Sequence, residues 1–347
     1  MKAALMVAFE KPLVVREVPD PKPSEDGVVI KVEANGICRS DWHAWMGHDP
    51  GITEFPHVPG HEMAGVISAA GTRVQAVEVG DRVTVPFCCG CGYCPQCQSG
   101  NQQICDNEFQ PGFTGWGSFA EYVAIPYADT NIVKLPDQLG FVEAASLGCR
   151  FMTAFRGVVV QGQVNAGKRV AVYGCGGVGL SAIMIATALG SYVIGVDIDD
   201  AKLDQAEAFG AKKTVNSKSV GDPAEYIRME TDGGVDVSID ALGLRETCRN
   251  SVRSLRKRGR HVQIGLTLAE ESDVAIPMNE VVARELDIVG SHGMQAHGYD
   301  EMLQMITAGM LQPDRLIGKR VSLEEAGAEL EAMGRFAQQG VTVIDRF

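Results

Sequence analysis

The sequence predicts an α/β protein in two parts, a β-rich first half followed by a doubly wound parallel sheet. Three observations point there. Short strand patterns broken by Gly, Pro and Asp fill the chain up to about residue 142, with no long helical period among them. Beyond that point short apolar runs alternate with helical segments. A glycine-rich turn joins the first of these runs to its helix. At 347 residues the chain is long for one hydrophobic core and comfortable for two.

Residues 28–34 set Val28, Ile30, Val32 and Ala34 on one face and Lys31 and Glu33 on the other, the period of a half-buried strand. Shorter strands are expected at 62–69 and 82–86. In the second half, strand Arg169–Tyr173 leads through glycines into an apolar helix at 178–189. A strand at 192–196 follows, and Asp199 or Asp200 caps a helix that stops at Gly210. Further strands are expected at 213–215, 235–239, 261–264 and 287–289. Buried strands alternating with helices give a parallel sheet with right-handed crossovers. The basic group Arg253, Arg256, Lys257, Arg258 and Arg260 reads as a solvated helix end, where cations suit the dipole. The tail after about residue 290 is mixed in pattern and is expected to return to the first domain.

A net charge of −13 argues against a nucleic-acid or anionic-membrane surface. No apolar run reaches the ~18 residues of a membrane span. Residues 1–7 lack the pattern of a secretion signal, so a cytoplasmic location is expected. In that setting ten cysteines favour metal binding over disulfides. Cys91, Cys94, Cys97 and Cys105 follow a C-x2-C-x2-C-x7-C spacing that can wrap one Zn²⁺ tetrahedrally. Four thiolates leave no open position, so this zinc would be structural. Disulfides, free thiols or a nucleic-acid-binding zinc ribbon are the rivals, the last disfavoured by charge. Cys88 and Cys89 fall outside the spacing and read as small packed residues.

Gly174-Cys175-Gly176-Gly177-Val178-Gly179 fits G-x-G-x-x-G between a strand and a helix, the context the dinucleotide fingerprint requires. Its glycines let the backbone approach a pyrophosphate, and the helix N-terminus offers free N–H groups. Asp197, eighteen residues past Gly179, can accept hydrogen bonds from the adenosine ribose and would repel a 2′-phosphate, which favours NAD over NADP. Lys202 is either a surface residue or a second ribose contact.

Other ligand-type residues are scattered: Cys38, His61, Glu62 and Cys149. Spacing alone does not assemble them. Together with the motifs around them, however, they bear a resemblance. The runs G-I-C-R-S-D-W-H from Gly36, P-G-H-E from Pro59 and L-G-C-R-F-M-T-A from Leu147, with the four-cysteine loop and the glycine turn, occur in the order found in zinc alcohol dehydrogenases. The chain resembles that medium-chain dehydrogenase family over essentially its whole length.

The resemblance implies a GroES-like β-rich catalytic domain, residues 1–152 and 290–347, plus a doubly wound Rossmann domain, residues 153–289. It implies that Cys38, His61 and Cys149 hold a catalytic zinc, with Glu62 beside it, giving two zinc ions per chain together with NAD. Asp41 is then the partner that orients His61, and Ser40 and His43 match a proton relay. Arg39 matches a pyrophosphate contact and Thr153 a residue packing near the nicotinamide. Val341, Thr342 and Val343 occupy the region where some relatives place a phosphate-binding arginine, and Arg346 is displaced from it. Trp42 and Trp116 are expected to line a substrate pocket, with Trp45 and Phe113 open between pocket and core.

The implied activity is reversible oxidation of a primary or secondary alcohol, in a homo-oligomer, tetramer before dimer. The rivals are a polyol or aldehyde-specific enzyme of the same superfamily and a redox-inactive binding protein of the same fold. Polyol dehydrogenases commonly carry Glu at the position of Cys149, so this residue leans toward alcohols.

Overall fold

The chain folds as two units, Met1–Met152 with Gly293–Phe347 and Thr153–His292. The computed structural model describes residues 1–268, 271–335 and 340–347.

In the first unit β1 (Lys2–Leu5) and β2 (Val14–Glu17) form an antiparallel pair. The alternating pattern at Val28 extends into a ten-residue strand, β3 (Val28–Ile37). Val28, Ile30, Val32 and Ala34 are buried and Lys31 is exposed, but Val29 is buried as well. Antiparallel to β3 runs β4 (Glu62–Ala70), followed by β5 (Arg82–Thr84), which pairs with β4. β6 (Tyr122–Ile125) pairs with β3, and β7 (Val133–Lys134) with β5. A seven-residue helix, Arg39–Trp45, follows β3 directly. Sequence periodicity missed it because two turns are too short to show a hydrophobic stripe. A local hydrogen bond starts it instead: the Asp41 carboxylate accepts the amide of Cys38 at 2.8 Å.

The second unit is one parallel sheet of β8 (Arg169–Tyr173), β9 (Tyr192–Asp197), β10 (Lys213–Asn216), β11 (Val235–Asp240), β12 (Leu255–Gln263) and β13 (Asp287–Gly290). Their spatial order is β10-β9-β8-β11-β12-β13. The chain winds outward from β8 in both directions, which opens a crevice at the strands' C-terminal ends. Helix Gly177–Ala188 is apolar all round and almost wholly buried. Asp199, not Asp200, caps helix Asp200–Ala208 by accepting the Ala201 amide, and Gly210 takes φ +112° just past its end. One correction concerns the basic group. Only Arg253 ends a helix; Arg256, Lys257, Arg258 and Arg260 lie in β12, which begins earlier than expected. Leu255 and Val262 bury while the charges face outward and pair, Arg256 with Asp236 and Arg260 with Asp287. Charge density along that stretch hid the strand.

After residue 292 the chain rejoins the first unit. β14 (Ile317–Ser322) lies parallel to β15 (Val341–Arg346), and β15 runs antiparallel to the end of β3, setting Val343 opposite Gly36. This completes a seven-stranded sheet centred on β3. Val341 and Val343 are buried in it, and Arg346 is engaged by Glu325 and Asp345 at 3.2 Å each. Ile30, fully buried near the start of β3 where both β4 and β6 pair with it, should therefore be costly to truncate. Ile30→Ala is expected to destabilise the first unit by about 2–5 kcal/mol, read from urea unfolding; a shift of the midpoint within error would show that β3 does not organise this sheet.

Candidate functional site

The first site grows from the ends of two paired strands. The β3–β4 register sets Gly36 opposite Glu62, so Cys38, just past β3, comes beside His61, just before β4. Cys149 arrives from the helical turn Leu147–Phe151. One ligand atom from each of Cys38, His61, Glu62 and Cys149 lies within 4.8 Å of every other. The Cys38 and Cys149 sulfurs are 4.0 Å apart.

Asp41 holds this group together. It is fully buried, and its carboxylate accepts the Cys38 amide at 2.8 Å, the Gly60 amide at 3.2 Å and Nδ1 of His61 at 2.8 Å. The last bond assigns the His61 proton to Nδ1 and turns Nε2 into an acceptor. Nε2 is buried and carries no hydrogen bond. A buried acceptor without a donor, next to two thiols, is what a zinc site lacking its cation would present. The Cys149 thiol and then the Arg150 charge hold Cys38 well below the ordinary thiol range, while Cys149 is raised. The pair thus shares a proton that a cation would displace.

Glu62 is held differently. Its carboxylate accepts the Arg150 backbone amide at 3.1 Å, Nε at 3.0 Å and also Nη2. A Cβ on Gly36 would run into that carboxylate, so glycine is required there. Arg150 was not singled out from the sequence; the available signal was a lone charge inside the apolar run that follows Leu147.

Ser40 and His43 both lie on helix Arg39–Trp45, and Ser40 Oγ stands 3.9 Å from the Cys38 sulfur. His43 is half-buried, with Nδ1 3.1 Å from Nδ1 of His48, another residue the sequence reading passed over. Burial first, then the charges of Arg39 and His48, push His43 down to about 4. The Arg39 guanidinium lies 4.0 Å from the Trp42 ring centre and donates to the Met333 carbonyl. The aromatic expectations need correction. Trp42 packs on the apolar cluster of Ile37, Leu330 and Ile344. Trp116 lies in a groove with Met1, Pro21 and Tyr122 whose described lining includes no candidate ligand. Phe113 and Phe87 are the rings beside the site, 5.1 and 6.2 Å from His61.

The four-cysteine loop is assembled as its spacing requires. All ten cysteines are free, and the four loop sulfurs lie within 4.8 Å of one another. Backbone amides point at them: Cys105 accepts from Cys91 at 3.3 Å and Asn107 at 3.2 Å, and Cys91 from Cys94 at 3.4 Å. The Cys97 amide holds Cys94 down to about 6, whereas burial pushes Cys97 up to about 12. The set cannot ionise fully without a cation, and a metal dication suits it.

In the second unit Gly174 adopts φ +91°, and Gly176 precedes helix Gly177–Ala188 as its cap. A Cβ on Gly179 would strike the Gly174 carbonyl, so helix and turn close tightly only with glycine. Val178 sits in the first turn. Asp197 ends β9, and its carboxylate accepts the amides of Cys175 at 2.8 Å and Ile198 at 2.7 Å. Lys202 lies on helix Asp200–Ala208, and its charge is felt at Cys175 in the turn. Thr153 is buried on helix Met152–Arg156.

The Asp41 contacts yield a direct test. Asp41→Asn keeps the shape but removes the charge behind His61, and zinc affinity at the Cys38 site should fall about 10- to 100-fold in chelator competition. The four-cysteine site should hold its zinc unchanged. Equal affinity in wild type and variant would remove Asp41 from the metal centre.

Two family models and several known proteins match the chain. Residues 24–137 match the family model "Alcohol dehydrogenase GroES-like domain" and residues 177–308 the model "Zinc-binding dehydrogenase". An alcohol dehydrogenase of Geobacillus stearothermophilus is 36% identical over 313 residues, 90% of each chain. An NAD-dependent alcohol dehydrogenase of Sulfurisphaera tokodaii is 33% identical over 99% of both chains. Among solved structures, the alcohol dehydrogenase TADH of Thermus sp. ATN1 superposes with a TM-score of 0.92 at 30% identity, covering both chains fully. With two cysteines and a carboxylate-backed histidine at one site, four cysteines at another and a glycine turn closed by Asp197, the chain belongs to the zinc-dependent, medium-chain alcohol dehydrogenase family.

Proposed function

We propose that the protein interconverts primary or secondary alcohols and their aldehydes or ketones, using zinc and NAD. The observation that carries this reading is the three-ligand set of Cys38, His61 and Cys149 with its orphaned Nε2, in a chain of this family. When bound, zinc supplies Lewis-acid activation of the alcohol oxygen and NAD accepts the hydride.

The remaining work falls to the protein. Asp41 fixes the tautomer and direction of His61. Arg150 neutralises Glu62, so the buried carboxylate adds no net charge beside the thiols. Glu62 is thereby a neighbour of the ligand set and stands close enough to join it. Ser40 and His43 carry the alcohol proton outward. Arg39 would contact the pyrophosphate and Thr153 would pack by the nicotinamide. Gly174, Gly176, Gly177, Val178 and Gly179 receive the pyrophosphate on backbone N–H groups. Asp197 and Lys202 meet the adenosine ribose. Cys91, Cys94, Cys97 and Cys105 hold a second, structural zinc, for two per chain.

Cys149 in place of Glu favours simple alcohols over polyols. Free thiols throughout support a cytoplasmic location, and no helix among the described residues is long and apolar enough to cross a membrane. β13 ends the second sheet as an edge strand with Ile288 40% exposed, which supports pairing with a second copy; the order of tetramer before dimer rests on the family resemblance alone.

The test is NADH formation at ~340 nm over a panel of alcohols and sorbitol, with zinc content measured on the same protein. Turnover of simple alcohols and two zinc ions per chain are expected. Cys38→Ser should abolish turnover with the fold retained, and Cys97→Ser should chiefly lower the melting temperature. Activity on sorbitol alone would favour the polyol reading, and turnover surviving Cys38→Ser would end the metal assignment.

Cofactor preference follows from Asp197. Wild type should favour NAD, and Asp197→Gly should relax that preference toward NADP. Equal kcat/KM of wild type with the two cofactors would remove Asp197 from this role.

A further inference from the structure

The structure brings two imidazoles together where the proposed relay reaches the surface. Nδ1 of His43 and Nδ1 of His48 are 3.1 Å apart, and the backbone amide of His48 donates to the His43 carbonyl at 3.0 Å. The Trp42 ring lies edge-on to both, with centroids 5.0 Å from His43 and 6.0 Å from His48. His43 is half-buried and His48 exposed. Two Nδ1 atoms at this distance share one proton, so one ring donates and the other accepts.

We propose that His48 is the outer member of the proton path, taking from His43 the proton released by the alcohol and passing it to water. This rests on the relay reading of Ser40 and His43. The step balances within the two rings. His43 gains a proton at Nε2 and loses one from Nδ1 to Nδ1 of His48. His48 then releases its Nε2 proton to solvent, and both rings end neutral.

The surroundings give the path its direction. Arg39 and Cys38 are the charged or ionisable groups acting on His43 besides His48 itself. Burial and the Arg39 charge make a positive His43 costly, so a proton arriving there does not rest. The ring of His48 is exposed, so water can reach it and take the proton onward. The carboxylate of Asp49, next in the chain, accepts the Gly51 amide at 2.8 Å.

The test is stopped-flow proton release with a pH indicator, after mixing enzyme and NAD with alcohol. His48→Asn keeps a hydrogen-bonding group at the contact but cannot carry the proton. Proton release at pH ~6 should slow about 5-fold, less than full loss of a general base because water can bypass an exposed member. The loss should shrink at high pH, where hydroxide substitutes, and free imidazole should restore it. KM for NAD should stay unchanged. His48→Asp, whose carboxylate can accept the proton, should stay near wild type, and His43→Gln should be no slower when combined with His48→Asn.

Wild-type release in His48→Asn together with slow release in His43→Gln would end the path at His43 and overturn this proposal alone. Wild-type release in both would overturn the relay reading itself. A loss in His48→Asn that is equal at every pH and indifferent to imidazole would make the contact structural and also overturn the proposal.

Discussion

The candidate metal centre depends on one buried carboxylate. Asp41 accepts the amide of Cys38, the amide before His61 and Nδ1 of His61 itself. A single acid thereby starts the helix that carries Ser40 and His43, ties the two ligand-bearing strand ends together and sets the tautomer of the ligand. These are three tasks that the chain could have given to three residues. Concentrating them means that the helix, the strand ends and the histidine cannot be repositioned independently. A buried carboxylate with three donors is well satisfied, so burying it costs the fold little.

A second ion pair balances that centre. Arg150 follows Cys149 directly and binds Glu62, which follows His61 directly. Two of the three candidate ligands, His61 and Cys149, are thus adjacent to one half of the pair, and the pair ties together the segments that deliver them. Gly36 on β3 leaves room for it. The guanidinium also places positive charge near Cys38, which favours the thiolate form that a metal needs.

Much of this was readable from the chain. The glycine turn, the parallel strands and the four-cysteine loop announce themselves because each is local: the spacing of neighbouring residues dictates the geometry. The scattered ligands could be collected only through resemblance, since Cys38 and Cys149 are 111 residues apart and strand register brings them together. Helix Arg39–Trp45 was invisible to periodicity because hydrogen bonding, not burial, starts it. β12 was obscured by its own arginines, which lie outward and pair across to neighbouring strands and loops. Arg150 and His48 went unnoticed for a common reason. A polar residue gains meaning from what it touches, and their partners lie 88 residues away in one case and around a bend in the other.

β15 closes against β3 from the far end of the chain, opposite Asn35, Gly36 and Ile37 and one residue short of Cys38. A ribosome therefore finishes the entire second unit before it delivers the strand that completes the first. Until then the end of β3 nearest the ligands presents unpaired backbone groups, the kind of edge that recruits wrong partners. Pairing across some three hundred residues is also slow, because the closing loop is long. The nascent protein thus passes through a stage in which every strand of the second unit has been made while the sheet of the first still awaits its final strand. Truncated chains, and chaperones that guard open edges, would meet the molecule at that stage.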